Sequence, residues 1–182
     1  MDGAFYNDLR EPFISADQAA VTLAATAKAL YTASAFPALG PQYFARPGKK
    51  IRIRLFGRIT TGATPGNGSF NVYYGSGADA TGVILMTGTP VALIALQTSL
   101  SWACEIFVHC RTTGSVGTLF CTGRALFNSA VQLGPILLPA SLAAVSGACD
   151  LTASNIISVQ YLRSGSSAET IQVHDLECVA MN

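Results

Sequence analysis

Apolar and polar residues alternate along much of this chain, and the alternation is clearest between Ser101 and Arg111. Because successive side chains of a strand point to opposite faces, a period of two predicts a strand with one buried face. The apolar positions of that face are Trp102, Cys104, Ile106, Val108 and Cys110. A Gly/Ser/Thr-rich turn at 112–117 and a second extended run at 118–122 complete a predicted antiparallel hairpin. Its structural core residues are Trp102, Ile106 and Val108.

A second alternation follows Lys49, where isoleucine and leucine at 51, 53 and 55 alternate with basic residues. The basic positions are Lys50, Arg52, Arg54 and, further along, Arg58. Two interpretations fit this face: a surface that contacts acidic neighbours or polymeric anions, or solvated charge that protects an edge strand from unwanted pairing. We favour the second, which predicts that this strand lies at the edge of a sheet.

Turn signals divide the rest of the chain into further strands. Asn67-Gly68 predicts a hairpin turn before a strand at 69–74. A change of apolar phase after His174 predicts a bulge near Asp175. The remaining short strands are predicted at 83–86, 91–96, 132–138, 140–145, 155–162 and 170–180. About eight strands with polar, Gly-rich turns indicate an all-β protein, an antiparallel β-sandwich of jelly-roll-like type.

The first part of the chain differs from this pattern and divides it into two predicted regions, an N-terminal arm at 1–47 and a sandwich domain at 48–182. Ser15 and Gln18 fit a capping box, which predicts a helix over about 17–30. Val21 and its threonine neighbours, followed by repeated prolines, predict an extended arm instead, and we favour this alternative. The arm either reaches a neighbouring subunit or packs on its own domain.

Composition changes this picture by pointing to partners. Charged residues make up only 12% of the chain and hydrophobic residues 50%, against about 25% charged residues in an average protein. We therefore expect oligomerisation or assembly to cover much of the surface. The net charge of +1 argues against nucleic acid or an anionic membrane as the main partner. The chain has no basic start followed by an apolar run, and no span of about 18 apolar residues, so we expect synthesis and folding in a cytoplasm.

Candidate chemistry is sparse. Five cysteines form an odd set without close pairs, which indicates buried free thiols. Cys104, His109 and Cys110 are the only dense group of possible metal ligands, but six residues of extended strand separate the two thiols by about 20 Å. His109 and His174 are both predicted on outward faces of strands, and no Gly-x-Ser-x-Gly motif occurs. We therefore predict no catalytic residues, metal or cofactor, and no enzyme activity.

Several segments carry a family resemblance. The segments FARPGKKIRIRLFGRITTG, GSFNVYYGSGADATG, LSWACEIFVHCRTTGSVGTLFCTG and SVQYLRSGSSAETIQVHDLE resemble small β-sandwich proteins of tailed bacteriophages, particularly head decoration and minor capsid proteins. The resemblance covers most of the chain. It implies a jelly-roll-like fold without catalysis and assembly as trimers or on a symmetric lattice, and it does not decide between the head and the tail of the virion. Our first hypothesis is a homotrimer on the capsid surface, with the major capsid protein as the partner.

A decoration protein of this kind binds the outer shell of the head and stabilises it. Candidate contacts with the capsid or with other subunits are Phe5, Tyr6, Arg10, Phe13, Arg52, Arg54, Arg58, Glu105, His109 and Arg111. The alternative is a receptor-binding or carbohydrate-binding head domain of a tail fibre or appendage. In that case the loops at 60–68, 75–82 and 163–169 carry recognition.

Overall fold

Two antiparallel β-sheets face each other in the computed structural model, and this confirms the predicted all-β sandwich. The described residues are 13–15, 17–22, 26–41, 43–77, 82–128, 135–139 and 145–181. The strands in them are β1 (Phe13–Ser15), β2 (Val21–Thr22), β3 (Lys28–Ala29), β4 (Lys50–Thr60), β5 (Asn67–Gly75), β6 (Val83–Thr87), β7 (Val91–Ala92), β8 (Leu100–Thr112), β9 (Thr118–Phe127), β10 (Ile136–Leu138), β11 (Ile156–Arg163) and β12 (Thr170–Met181).

Sheet 1 contains seven of these strands in the order β1, β12, β4, β8, β9 and β10, with β2 also paired to β12. Sheet 2 has the order β3, β11, β5 and β6, and β7 also pairs with β5. The chain changes sheet several times, and two of these crossings are those from sheet 1 to sheet 2 between β4 and β5 and from sheet 2 to sheet 1 between β11 and β12. The two crossings lie side by side, because β4 pairs with β12 and β5 pairs with β11. The result is one long antiparallel ribbon shared by both sheets.

The core lies between the sheets and is built from the alternating apolar positions. Trp102, Ile106 and Val108 are 3%, 0% and 0% exposed, so the predicted inward face of β8 is confirmed. Across the sandwich, the Phe70 ring lies 5.3 Å from the Trp102 ring and 4.9 Å from the Tyr161 ring, measured between centroids. Full burial of a large apolar side chain stabilises the folded state by about 1.5–3 kcal/mol. The inward side chains of β8 therefore stabilise the packing of the two sheets.

Two local predictions are confirmed in sheet 1. β8 and β9 form the predicted antiparallel hairpin, in which Glu105 pairs with Arg124 and His109 with Phe120. The register between β12 and β4 shifts between Val173 and Asp175, where the bulge was predicted. An extra residue at this point returns the later apolar residues of β12 to the buried face.

One turn prediction and one strand prediction in sheet 2 are wrong. Asn67 and Gly68 begin β5 instead of forming a hairpin turn, because β4 and β5 belong to different sheets and 61–66 crosses between them. Gly68 packs so closely under Tyr161 that a Cβ atom there would lie 1.9 Å from the phenol oxygen. The predicted strand at 91–96 ends at Ala92, because Leu96 adopts a turn conformation with a φ of 56°.

The predicted edge position of β4 is also wrong. β4 pairs with β12 on one side and with β8 on the other, which makes it a central strand of sheet 1. Its inward residues Ile51, Ile53 and Leu55 are fully buried, as predicted. Arg52 and Arg54 are tolerated at the centre of the sheet because the flanking strands present Glu177 and Glu105 to them.

The extended alternative for the early part of the chain is confirmed in the described residues, and the helix over 17–30 does not form there. β1 and β2 pair with β12 of sheet 1, and β3 pairs with β11 of sheet 2. These residues therefore pack on their own sandwich. Residues that follow β3 join the same core, and they are Leu30, Tyr31, Phe36, Leu39 and Phe44.

Other parts of the prediction fall partly outside the described residues. Of the strands predicted at 132–138 and 140–145, β10 is confirmed at Ile136–Leu138, and 132–134 and 140–144 lie outside. The division at residue 47 stays a prediction. In the portion of the chain that the structure describes, no helix has the length and apolar character needed to cross a bilayer.

Candidate functional site

The outward side of sheet 1 brings together most of the predicted contact residues. We call it the outer face; it comprises the outward side chains of β4, β8, β9, β10 and the paired part of β12. Six of the ten candidate contacts lie on it, namely Arg52, Arg54, Arg58, Glu105, His109 and Arg111. Phe13 lies in β1 at the edge of the same sheet, opposite Cys178. Phe5, Tyr6 and Arg10 lie outside the described residues.

Charged residues form a row across the middle of this face. Register places Glu177, Arg54, Glu105 and Arg124 side by side on four adjacent strands, and we call these residues the ionic row. Arg54 Nε donates to Glu105 Oε1 at 2.8 Å, and Arg124 Nη2 lies 2.9 Å from Glu105 Oε2. Arg54 Nη1 is 3.7 Å from Glu177 Oε2. The other carboxylate oxygen of Glu177, Oε1, accepts a hydrogen bond from Arg52 Nη2 at 3.0 Å.

The electrostatics of the ionic row follow from this alternation. The hydrogen bond from Arg54 is the main cause that lowers the pKa of Glu105; partial burial opposes it, and Arg124 adds to the lowering. The same hydrogen bond raises the pKa of Arg54. The Glu105 side chain is only 13% exposed, so its carboxylate is already engaged by its own chain. Opposite charges directly across strands stabilise a sheet modestly.

An apolar patch borders the ionic row. Phe56 on β4 and Leu126 on β9 flank Ala103 on β8. On β10, Leu137 lies opposite Arg124, which is two residues before Leu126 on β9. Phe56 is 45% exposed, Leu126 44% and Leu137 73%. We call Phe56, Ala103, Leu126 and Leu137 the apolar patch. A shallow depression lined partly by Phe56, Ala103 and Leu126 joins it to the ionic row.

The opposite end of the outer face combines cations with aromatic rings. We call Lys50, Phe107, His109, Arg111 and Phe120 the cationic end. Lys50 pairs with His109, and His109 pairs with Phe120 on the next strand. Lys50 Nζ lies 5.9 Å from the Phe107 ring centroid and the Arg111 guanidinium carbon 4.7 Å from that of Phe120. Such contacts hold cations against ring faces.

The cysteines are buried in this arrangement, and the two histidines face outward. All five cysteines are buried free thiols, as predicted. Burial raises the pKa of Cys178 to about 12 and that of Cys104 further, which suppresses the reactive thiolate. His109 and His174 lie in β8 and β12 on outward faces, as predicted, and His174 Nδ1 contacts Asp17 Oδ1 at 3.0 Å. The described residues contain no group of three metal-ligating side chains.

Sequence reasoning missed the apolar patch and two members of the ionic row. Leu126 lies beyond the predicted run at 118–122, which is shorter than β9. Leu137 lies within the predicted strand at 132–138 but was not assigned to a surface, and Phe56 follows the alternating basic residues Arg52 and Arg54. Arg124 and Glu177 acquire their roles from register with Arg54 and Glu105. The available signal was the alternation itself: extending the period of two through 118–127 puts Arg124 and Leu126 on the outward face.

Comparisons with known proteins leave the chain without a family. No protein-family model and no curated protein matches it. A solved structure of an alginate lyase variant in complex with alginate trisaccharide is similar at 8% identity and a TM-score of 0.26, over 75% of this chain and 73% of that one. The binding domain of botulinum neurotoxin serotype C1 is similar at 11% identity and a TM-score of 0.27, over 78% of this chain and 35% of that one. TM-scores this low carry no conclusion about what this chain does.

Proposed function

We propose that this protein is a virion structural protein, a capsid decoration protein that acts by adhesion to the outer surface of the head shell. The single observation that carries the proposal is the apolar patch on the outer face. Phe56 and Leu126 flank Ala103 in register across three strands, and Leu137 lies on the fourth strand opposite Arg124. All three large apolar side chains are exposed. Contiguous exposed apolar surface of this kind is typical of sites that bind another protein.

The ionic row supports an adhesive role for the same face. Because Glu105 holds both Arg54 and Arg124, the charges beside the patch are neutralised before any partner arrives. A partner that covers the patch therefore does not bury an unpaired charge, which would cost binding free energy. Sheet strands also fix the positions of these side chains, so binding loses little conformational entropy.

Oligomerisation strengthens such adhesion. We propose a homotrimer whose copies attach to the major capsid protein at symmetry-related points of the shell. Linked sites multiply weak individual contacts into tight attachment, because binding of the first copy raises the effective concentration of the others. The face of one subunit then needs only moderate affinity for its site.

Co-sedimentation with purified capsids that lack the protein tests this proposal. The wild-type protein should bind at a saturable number of sites, which cryo-electron microscopy then locates on the outer shell. Replacing Phe56 and Leu126 by aspartate should abolish binding, whereas Ile84→Asp should not, because Ile84 is equally exposed (51%) but lies on sheet 2. Failure of the wild-type protein to bind capsids would overturn the function.

One observation favours a second candidate, recognition of a receptor or carbohydrate by loops. Loop 61–66 is tied to loop 164–169 through Thr64, whose N–H donates to Ser167 Oγ at 3.1 Å and whose hydroxyl lies 2.9 Å from that of Ser166. Next to them Leu96, which is 74% exposed, donates its N–H to the Gly62 carbonyl at 2.9 Å. These contacts hold a fixed loop cluster at one end of the sandwich.

A glycan array with the purified protein separates the two candidates. A decoration protein should give no specific signal on the array. Recognition would be assigned to the loop cluster instead if the wild-type protein gives a specific signal, the Leu96→Ser variant loses it, and the variant with Phe56 and Leu126 replaced by aspartate keeps it.

A further inference from the structure

Among the residues that the structure describes, no carboxylate lies in register with the cations at the cationic end of the outer face. The residues in register with Lys50 are His109 and Met181, and those in register with His109 are Lys50 and Phe120. Within the described ranges, neither Lys50 nor Arg111 takes part in an ion pair. The nearest acid on this face of β8, Glu105, lies four residues before His109, about 13 Å away at the rise of a strand.

Protonation of His109 would place like charges opposite one another on β4 and β8, which destabilises a strand pair. The same two strands avoid that cost a few residues away, where Glu105 faces Arg54. The chain therefore has the means to neutralise its cations and does so in the ionic row. Groups that are held against local stability are typical of functional surfaces.

The electrostatics of His109 agree with this geometry. Partial burial is the main cause that lowers its pKa, and Lys50 and Arg111 lower it further. Two positive neighbours therefore repel any proton that would charge the ring. A carboxylate brought to this end would relieve the repulsion, so binding and protonation of His109 favour each other.

The aromatic rings decide what class of ligand fits. Lys50 covers a face of Phe107, and Arg111 covers a face of Phe120. The cation over each ring competes on that face with the stacking that nucleotide bases and sugar rings use. The polar groups that remain for a ligand are an ammonium, a guanidinium and an imidazole, which suit carboxylates.

Spacing along the strands matches an extended peptide. His109 and Arg111 lie two residues apart on β8, at most about 7 Å, and the register with β9 shifts at Arg111, between Cys110 and Thr112. Lys50 stands beside His109 on the next strand. Alternate side chains of an extended peptide repeat at this same distance. We propose that the cationic end binds an extended acidic segment of a partner protein, with carboxylates at alternate positions facing Lys50/His109 and Arg111. This inference rests on the proposed attachment to a protein shell, and it names the chemistry of the segment that the shell presents.

Fluorescence anisotropy with a labelled eight-residue peptide of alternating Glu and Thr tests the proposal. The wild-type protein should bind this peptide and not the matching Gln/Thr peptide, and binding should weaken as salt rises. The double substitution Lys50→Glu and Arg111→Glu should weaken binding by about tenfold or more, because both contacts become repulsive. Arg58→Glu is the matched control at the other end of β4 and should change binding by less than about twofold.

A second readout depends on His109 itself. Adding the acidic peptide should raise the pKa of His109, followed by NMR of its ring protons, and His174 serves as an internal reference. Equal binding by the neutral peptide, or full binding by the double variant with an unchanged unfolding temperature, would overturn the proposal. Tighter binding of an eight-residue thymidine strand or of a polyuronate oligosaccharide would do so as well, because the ligand class would be different.

Failure of the acidic-segment proposal and failure of the proposed capsid attachment give different experimental results. If capsids bind the wild-type protein and the double variant equally well, the acidic segment is excluded while shell adhesion stands. If the wild-type protein binds the acidic peptide but no capsids, the shell attachment fails and the cationic end keeps its ligand.

Discussion

The ionic row and the cationic end share the strands β4, β8 and β9, yet their positive charges have different surroundings. Arg54 donates to a carboxylate at 2.8 Å, whereas Lys50 stands across from a histidine and near an aromatic ring. The underlying core is the same for both, because alternate residues of β4 and β8 are buried throughout. The difference therefore lies in the outward side chains alone. The charged side chains of the ionic row pair with one another within the fold, whereas we propose that those of the cationic end bind a partner.

Core substitutions give the largest expected effect and test whether both regions share one foundation. Trp102→Ala removes a ring that is 3% exposed, and we expect it to lower the free energy of unfolding by about 3–5 kcal/mol. Val108→Ala, beneath the cationic end, should lower it by about 2 kcal/mol. Urea unfolding at neutral pH measures both. A near-neutral Trp102→Ala would mean that the ring is at the surface, and the two regions would then not share a core.

Removing the central carboxylate of the ionic row should give the next largest effect. Glu105→Gln leaves Arg54 and Arg124 without the oxygen charge that both contact, so we expect a loss of about 1–2 kcal/mol in urea unfolding. The matched change at the cationic end, Lys50→Gln, should lose nothing. An equal loss from both variants would erase the distinction between the two regions.

The part of this contrast that the sequence predicted is the local part. A period of two around Trp102 identified the buried face of β8, because each strand carries that information in consecutive residues. The sequence did not reveal that Glu177 and Arg54 are neighbours, since 123 positions separate them and only sheet order joins them. The same gap explains why β4 was predicted at an edge: basic residues protect an edge strand, and they also suit a central strand with acidic neighbours.

The turn at Asn67-Gly68 failed for a related reason. Asn-Gly is a strong local signal for a two-residue hairpin, but the flanking strands belong to different sheets. Gly68 is required by close packing against Tyr161, a contact made by a distant residue. Short-range patterns therefore predicted strands well, and they failed where a residue serves a long-range contact.

Acid should separate the two regions by a smaller amount. Because the folded-state pKa of Glu105 is below its usual value, the group stabilises the protein above its unfolded-state pKa of about 4.5. That contribution disappears as pH falls through the lower folded-state pKa. The unfolding temperature of the wild-type protein should therefore fall more steeply between pH 5 and pH 3 than that of Glu105→Gln. Parallel curves would show that the ionic row does not contribute to acid stability.

The smallest expected effect lies at the cationic end and probes repulsion directly. Replacing Lys50 by Gln removes one of the two positive neighbours that lower the pKa of His109, so that pKa should rise toward its usual value. The rise should be incomplete, because burial is the larger cause and remains. NMR titration of the His109 ring measures this, with Arg58→Gln as the control that should leave the pKa unchanged. A rise of the His109 pKa by the same amount in both variants would mean that the electrostatic field at His109 comes from the charges of the whole outer face. The cationic end would then not be a distinct site, and the contrast with the ionic row would be one of degree.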